Sequence, residues 1–192
     1  MIATKSILVI VAVSLFGLVA GCQAQVQAQG ACPNVTLIPN FNATAYMGLW
    51  YESAKYPAIF ETGGSCVTAK YTLLPNGTVA VENSQYNKYT HSPLTIKGNA
   101  VVVGNAKLLV NFPSVPGGAK TGSNYWVLHT DYVNYSVVFS CSQKSSTSHT
   151  EILWILTRAK SPSVQTILDA VKVITKNKLS VDNLRVTAQD NC

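Results

Sequence analysis

Side chains that could do chemistry are few in this 192-residue chain: five cysteines, three histidines and eight acidic residues. Cysteine comes first, because a free thiol in an apolar pocket is a nucleophile, whereas a paired one is a staple. Cys22 ends an apolar leader, which leaves Cys32, Cys66, Cys141 and Cys192. An even number in a secreted chain predicts two disulfides, and the spacing alone leaves three pairings open. No Cys-x-x-Cys occurs, which argues against zinc. His91, His129 and His149 are scattered along the chain and read as surface or loop residues rather than bases or haem ligands. No nucleophile, base and acid converge. The expectation is therefore no catalytic residue, no metal site and no enzyme.

The elements that position these residues begin after a leader. Lys5 precedes an apolar run over 7–20, then small residues, then glutamines. That order marks residues 1–24 as a secretory signal, with cleavage between 22 and 29, and a domain over 30–192. The run is short for a membrane span, and nothing later is long and apolar enough, so the chain is not expected to be transmembrane. Val19-Ala20-Gly21-Cys22 also fits a bacterial lipobox; the sequons at Asn34, Asn42, Asn76 and Asn134 favour a eukaryotic secretory route instead. The net charge is +6, or +5 once Lys5 leaves with the leader. The basic residues do not form a stripe with interleaved aromatics, which excludes nucleic acid as a partner.

Between 124 and 141 the chain reads as two strands around a polar break at Asp131 to Asn134, ending on Cys141. Further strands are expected over 50–55, 66–74, 78–86, 94–103, 106–112 and 151–158, with Pro75-Asn76-Gly77 as a hairpin turn. Val67, Ala69, Tyr71 and Leu73 alternate with Thr68, Lys70 and Thr72, the period-two mark of one buried face. Eight strands in this order predict an all-β, up-and-down antiparallel barrel. One helix follows, capped by Ser161 with Pro162 in its first turn, and with Val164, Ile167, Leu168, Val171 and Ile174 on one face against the outer wall. The longer connections, 56–65, 87–93, 113–123 and 142–150, would form the mouth, with Ile59 and Phe60 as apolar lid residues.

Gly48-Leu49-Trp50-Tyr51, Thr130-Asp131-Tyr132 and Arg158 resemble, in order, the three motifs of the lipocalins. Tyr125-Trp126-Val127-Leu128, Tyr135, Ser140-Cys141, Trp154-Ile155-Leu156-Thr157-Arg158 and the terminal Asp190-Asn191-Cys192 are similar to the apolipoprotein-D-like branch, which includes insect Lazarillo-type proteins and bilin-binding insecticyanins. Leu49, where a basic residue is common, and His129 depart from the pattern without threatening the fold. The resemblance covers essentially the whole mature chain.

The resemblance implies an eight-stranded lipocalin barrel closed at one end, with one C-terminal α-helix packed outside and bridges Cys32–Cys141 and Cys66–Cys192. Loops of that size imply roughly 4–5 kcal/mol per bridge. It also implies that Trp50 plugs the closed end under Arg158, a cation–π contact of about 0.5–2 kcal/mol. Trp154, four residues before Arg158, then shares its inward face. By the same parity Ile152, Val67, Ala69, Tyr71, Val138 and Ser140 line a cavity for one small ligand, or else simply fill the core. The implied function is a secreted, extracellular carrier of a small hydrophobic ligand: a fatty acid, sterol, retinoid or bilin such as biliverdin. No cofactor is required. Lipid transport and oxidative-stress protection come with the resemblance, and a lipoprotein or cell-surface receptor is a candidate partner. The alternative is a protein-binding lipocalin, an inhibitor or receptor ligand, that acts through its mouth loops.

Overall fold

The computed structural model describes residues 25–58, 61–115 and 122–192. The leader, Ile59 and Phe60, and most of the 113–123 connection lie outside the described residues. Ten strands and two helices run in the order β1 (Val26–Gln29), α1 (Ala43–Tyr46), β2 (Gly48–Lys55), β3 (Gly64–Leu73), β4 (Val79–Asn87), β5 (Ser92–Gly104), β6 (Lys107–Asn111), β7 (Ser123–Thr130), β8 (Tyr135–Ser145), β9 (Ser148–Thr157), α2 (Val164–Lys176) and β10 (Arg185–Val186). Each of β2 to β9 pairs antiparallel with the next, and β9 returns to β2. The result is a closed eight-stranded barrel, and closure leaves no edge among those eight strands to aggregate.

Two short strands patch the seam. β1 continues the ladder on β9 above the end of β2, with Val26 opposite Glu151 and Gln29 opposite Ser148. β1 lies ahead of residue 30, within the span 22–29 where cleavage is expected from sequence. β10 lies on the other edge of β2, with Arg185 opposite Lys55. The β4–β5 and β8–β9 connections are tight turns, not the long loops expected over 87–93 and 142–150, because β8 runs to Ser145 and β9 starts at Ser148. Gln143 holds that turn through its Nε2 donors to the Ser145 and Ser148 carbonyls. A polar hairpin reads as loop in sequence but satisfies its backbone in the ladder.

Period-two alternation divides the wall into two cores. Ala69, Tyr71, Val79, Val81, Ala100, Leu108, Val127, Val138 and Leu156 face in. Tyr135, Val137, Phe139, Leu153 and Ile155 face out, beneath α2. The helix begins two residues later than expected: Ser163, not Ser161, is the cap and accepts the Thr166 N–H. Its buried line is Ile167, Ala170, Val173 and Ile174, and Ala170, with no exposed surface, lets the backbone approach the sheet. Val164 and Leu168, expected on the packed face, are exposed. The apolar residues of α2 exceed one stripe, so only one of two overlapping stripes can face the barrel. Disulfides Cys32–Cys141 and Cys66–Cys192 tie both ends of the chain to the wall.

Candidate functional site

One end of the barrel is sealed by the chain that precedes β2. Ile38 and Phe41 are held across it by Asn105, whose Nδ2 donates to the Ile38 carbonyl and whose Oδ1 accepts the Phe41 N–H. Trp50 is fully buried there and donates its indole N–H to the Tyr46 carbonyl. The Arg158 guanidinium lies 3.6 Å from the Trp50 ring centroid. Its N–H groups reach the carbonyls of Leu49, Ala45, Tyr46, Met47 and Tyr132. Three of these belong to the end of α1, so a single cation caps a helix of four residues. Gly48 has φ +96°, and a Cβ there would stand 3.2 Å from Arg158 Nη1. Thr130, Asp131 and Tyr132 build the neighbouring turn: Asp131 Oδ1 accepts the N–H groups of Val133, Asn134 and Tyr135. These residues are structural.

Above the plug the interior is aromatic. Tyr46, Tyr71, Tyr125 and Trp154 follow Trp50 in a continuous series with ring centroids 5.1–6.4 Å apart. Their hydroxyls form a chain: Ser136 to Tyr46 at 3.0 Å, Tyr46 to Tyr125 at 2.9 Å and Tyr125 to Tyr71 at 3.0 Å. Burial pushes the Tyr46 phenol up to about 12 and raises those of Tyr71 and Tyr125 well above their ordinary value. All three therefore stay neutral hydrogen-bonding groups at physiological pH. A small apolar pocket against Tyr46, Tyr71, Val79, Leu108 and Tyr125 has a volume of about 10 Å³, room for one water molecule.

The same interior holds charge. Glu52 lies opposite Leu156, and Lys55 lies opposite Trp154. Opposed residues share a face, so both side chains enter the barrel. A bulge at Ser53 makes this happen, because it shifts the register between Glu52 and Ala54 and turns Lys55 inward. Lys55 Nζ is 3.0 Å from Glu52 Oε1 and 2.6 Å from Glu61 Oε2, the latter in the connection after β2. Glu52 also accepts from the Thr187 hydroxyl, which the C-terminal tail brings in beside β2. Glu52 is only 2% exposed. Its burial, reinforced by the Glu61 charge, pushes its carboxyl up to about 7, against the pull of Lys55. Burial works against the Lys55 charge, but the two carboxylates win and hold its ammonium above the ordinary value.

The expected lining residues divide. Ala69, Tyr71, Val138 and Trp154 belong to the interior cluster. Val67 is buried at its margin, where its carbonyl accepts from Gln189 Nε2. Ile152 is half-buried beside them, opposite Ser140. The Ser140 hydroxyl is spent on Asn124 Oδ1 at 2.7 Å. Glu52, Lys55, Glu61, Tyr46, Tyr125 and Asn83 join the interior unannounced. Asn83 stands between outward Glu82 and Ser84, and its Oδ1 is buried without a hydrogen-bond partner among the described residues. His149 is the exception among the histidines: it is buried and bonded to the Gly30 carbonyl and to Glu151, at 2.9 and 3.0 Å. Asn34, Asn42, Asn76 and Asn134 are all exposed.

Comparison with known proteins supplies the kinship. The model of the lipocalin-like domain matches residues 41–189. Lazarillo protein from Schistocerca americana is 43% identical over 152 residues, 76% of this chain and 68% of its own. Apolipoprotein D from Cavia porcellus is 36% identical over 185 residues, 93% of each chain. Among solved structures, insecticyanin from the tobacco hornworm Manduca sexta superimposes with a TM-score of 0.74 over 85% of this chain and 88% of its own, at 23% identity.

Proposed function

The chain belongs to the lipocalin family, and from that premise we propose that it is a secreted carrier which takes one small hydrophobic ligand into its barrel. The reading rests above all on the enclosed aromatic interior, in which Trp154 stacks on Tyr125 above a sealed floor. Apolar burial would supply affinity at about 25 cal/mol per Å². The few polar groups that face in, among them Asn83, would set orientation. The family suggests a fatty acid, sterol, retinoid or bilin as the ligand, and lipid transport with oxidative-stress protection as the role. A lipoprotein or a cell-surface receptor fits as the site of delivery. Two disulfides and four exposed sequons support an extracellular setting. Among the described residues no helix is long and apolar enough to cross a membrane.

The interior side chains now pack against one another, so a ligand must part them, and Trp154 must change its surroundings when it does. Native mass spectrometry and absorption on protein from its own source would identify the cargo. Titration of the stripped protein, read by tryptophan emission, would test the site. The expected result is a saturable change that Trp154→Phe abolishes. Binding with no change in emission and no effect of Trp154→Phe would refute the interior site, and a protein that binds no small ligand would leave the mouth loops as a protein-binding surface.

A further inference from the structure

We infer that Lys55 is the anchor for a carboxylate-headed ligand, and that Glu61 occupies the anchor in the ligand-free protein. This deepens the carrier reading and rests on it. An ammonium on the inner wall of an apolar barrel needs a carboxylate beside it whether or not a ligand is bound. Two are present, and they are not equivalent. Glu52 is fixed: it lies within the β2 ladder opposite Leu156, and its side chain also accepts from Thr187. Glu61 lies outside the ladder, in the connection after β2, where its N–H reaches the Ala58 carbonyl. It nevertheless sends its carboxylate inward to 2.6 Å from Lys55 Nζ.

Charge balance points the same way. Two carboxylates around one ammonium leave an excess negative charge in a buried space, and burial first, then the Glu61 charge, raise the Glu52 carboxyl. The neutral arrangement is one ammonium, one carboxylate and one carboxylic acid. A ligand carboxylate that replaces Glu61 preserves that arrangement, and the displaced Glu61 regains water in the connection it came from. A neutral head group cannot do this, because it would separate Lys55 from Glu61 and put nothing ionic in its place. Lys55 lies opposite Trp154 in the sheet, so a head group on its ammonium brings the start of an apolar tail to the indole. The selected class is therefore an apolar monocarboxylate, such as a long-chain fatty acid, over a neutral alcohol or ester of the same shape.

The test uses the full mature chain, with cis-parinaric acid and its methyl ester as fluorescent probes. Wild type should bind the acid more tightly than the ester. Glu61→Gln should raise affinity for the acid about tenfold or more, the scale of one charge-assisted hydrogen bond, with the ester little changed. Lys55→Met should reduce the acid to the level of the ester. If Lys55→Met does not fold, the Glu61→Gln comparison alone decides. Equal affinity for acid and ester in both wild type and Glu61→Gln would overturn the anchor and leave the carrier reading intact. Failure of acid, ester and a neutral sterol probe alike would overturn the carrier reading itself.

Discussion

Glu52 offers the sharpest test of how the barrel interior is balanced. Its folded-state carboxyl is raised from the ordinary 4.5 to about 7. At about 1.4 kcal/mol per pH unit, that difference is worth on the order of 3 kcal/mol. The sign follows from proton binding. Between pH 4.5 and 7 the folded protein keeps the Glu52 proton and the unfolded chain releases it, so stability falls as pH rises through this window. The contribution is fully present below pH 4.5 and gone above about 7. Burial raises the Glu52 carboxyl most and the Glu61 charge adds to the rise, while Lys55 and the Thr187 hydroxyl pull the other way. Glu52→Gln holds the neutral form at every pH. Urea unfolding with the disulfides intact should give variant and wild type similar stability at pH 4.5, and a variant more stable by about 3 kcal/mol at pH 8. Groups remote from the cluster cancel in the difference, whereas Lys55 and Glu61 respond to the substitution, so the comparison reads the cluster as a unit. A difference that stays flat with pH, or a wild type more stable at pH 8, would refute the reasoning, because it would mean that Lys55 keeps Glu52 ionised without cost.

Three further predictions concern the scaffold. Arg158→Lys should destabilise the protein by about 2–4 kcal/mol, since an ammonium cannot both lie flat on Trp50 and reach five carbonyls, and near-ultraviolet dichroism should lose the Trp50 signal. Cys66→Ser with Cys192→Ser should lower stability by about 2–4 kcal/mol and loosen the tail from β2, seen as faster amide exchange at Thr187. Peptide mapping should find the Asn134 sequon less occupied than Asn76, because Asn134 Nδ2 donates to Asp131 Oδ2 at 2.7 Å, whereas Asn76 uses only its Oδ1, on Thr78. Occupancy of Asn134 equal to that of Asn76 would show that the turn opens for the glycosylating enzyme.

Much of the wall is legible in sequence because alternation and turn chemistry are local. Val67, Ala69 and Tyr71 declare the buried face of β3, although Leu73, expected on the same face, is exposed near the strand's end, and Pro75-Asn76-Gly77 declares its turn. The placement of Trp154 follows from Arg158 by counting along one strand. The helix is less legible: Val164 and Leu168 are as apolar as Ile167 and Ile174, and only contact with the sheet selects Ala170 as the centre of the packed line. The charged cluster is the instructive case. Glu52 shares parity with Trp50, so a strict period-two reading of β2 already places a carboxylate inside the barrel. Lys55 has the opposite parity and enters only through the bulge at Ser53, which no local residue pattern announces. Glu61 and Thr187 join from segments remote from each other in sequence. The Tyr46–Tyr125–Tyr71 hydroxyl chain needs three separate elements in register, and α1, a single helical turn, is held by Arg158 more than by its own propensity.

Of the several register shifts in this barrel, two meet where its charge enters. β2 bulges at Ser53, and β3 shifts register between Ser65 and Thr68, with Cys66 at φ +55°. The two strands therefore part above their last paired residues, Tyr51 and Thr68. The tail fills the gap: Cys66 donates its N–H to the Ala188 carbonyl, Thr187 donates its own to Ser53, and Gln189 bridges the Glu52 and Val67 carbonyls. The Cys66–Cys192 bridge pins the tail at that point. An unbroken β2–β3 ladder would need no tail, and the alternation set by Trp50 would turn Lys55 to solvent. The break thus costs ladder hydrogen bonds, which the tail restores, and it brings the Lys55 cation into the interior beside Glu52. Replacing such a buried ionic cluster with apolar side chains is commonly neutral or stabilising. Its presence opposite Trp154 is therefore poorly explained by stability and well explained by the choice of ligand.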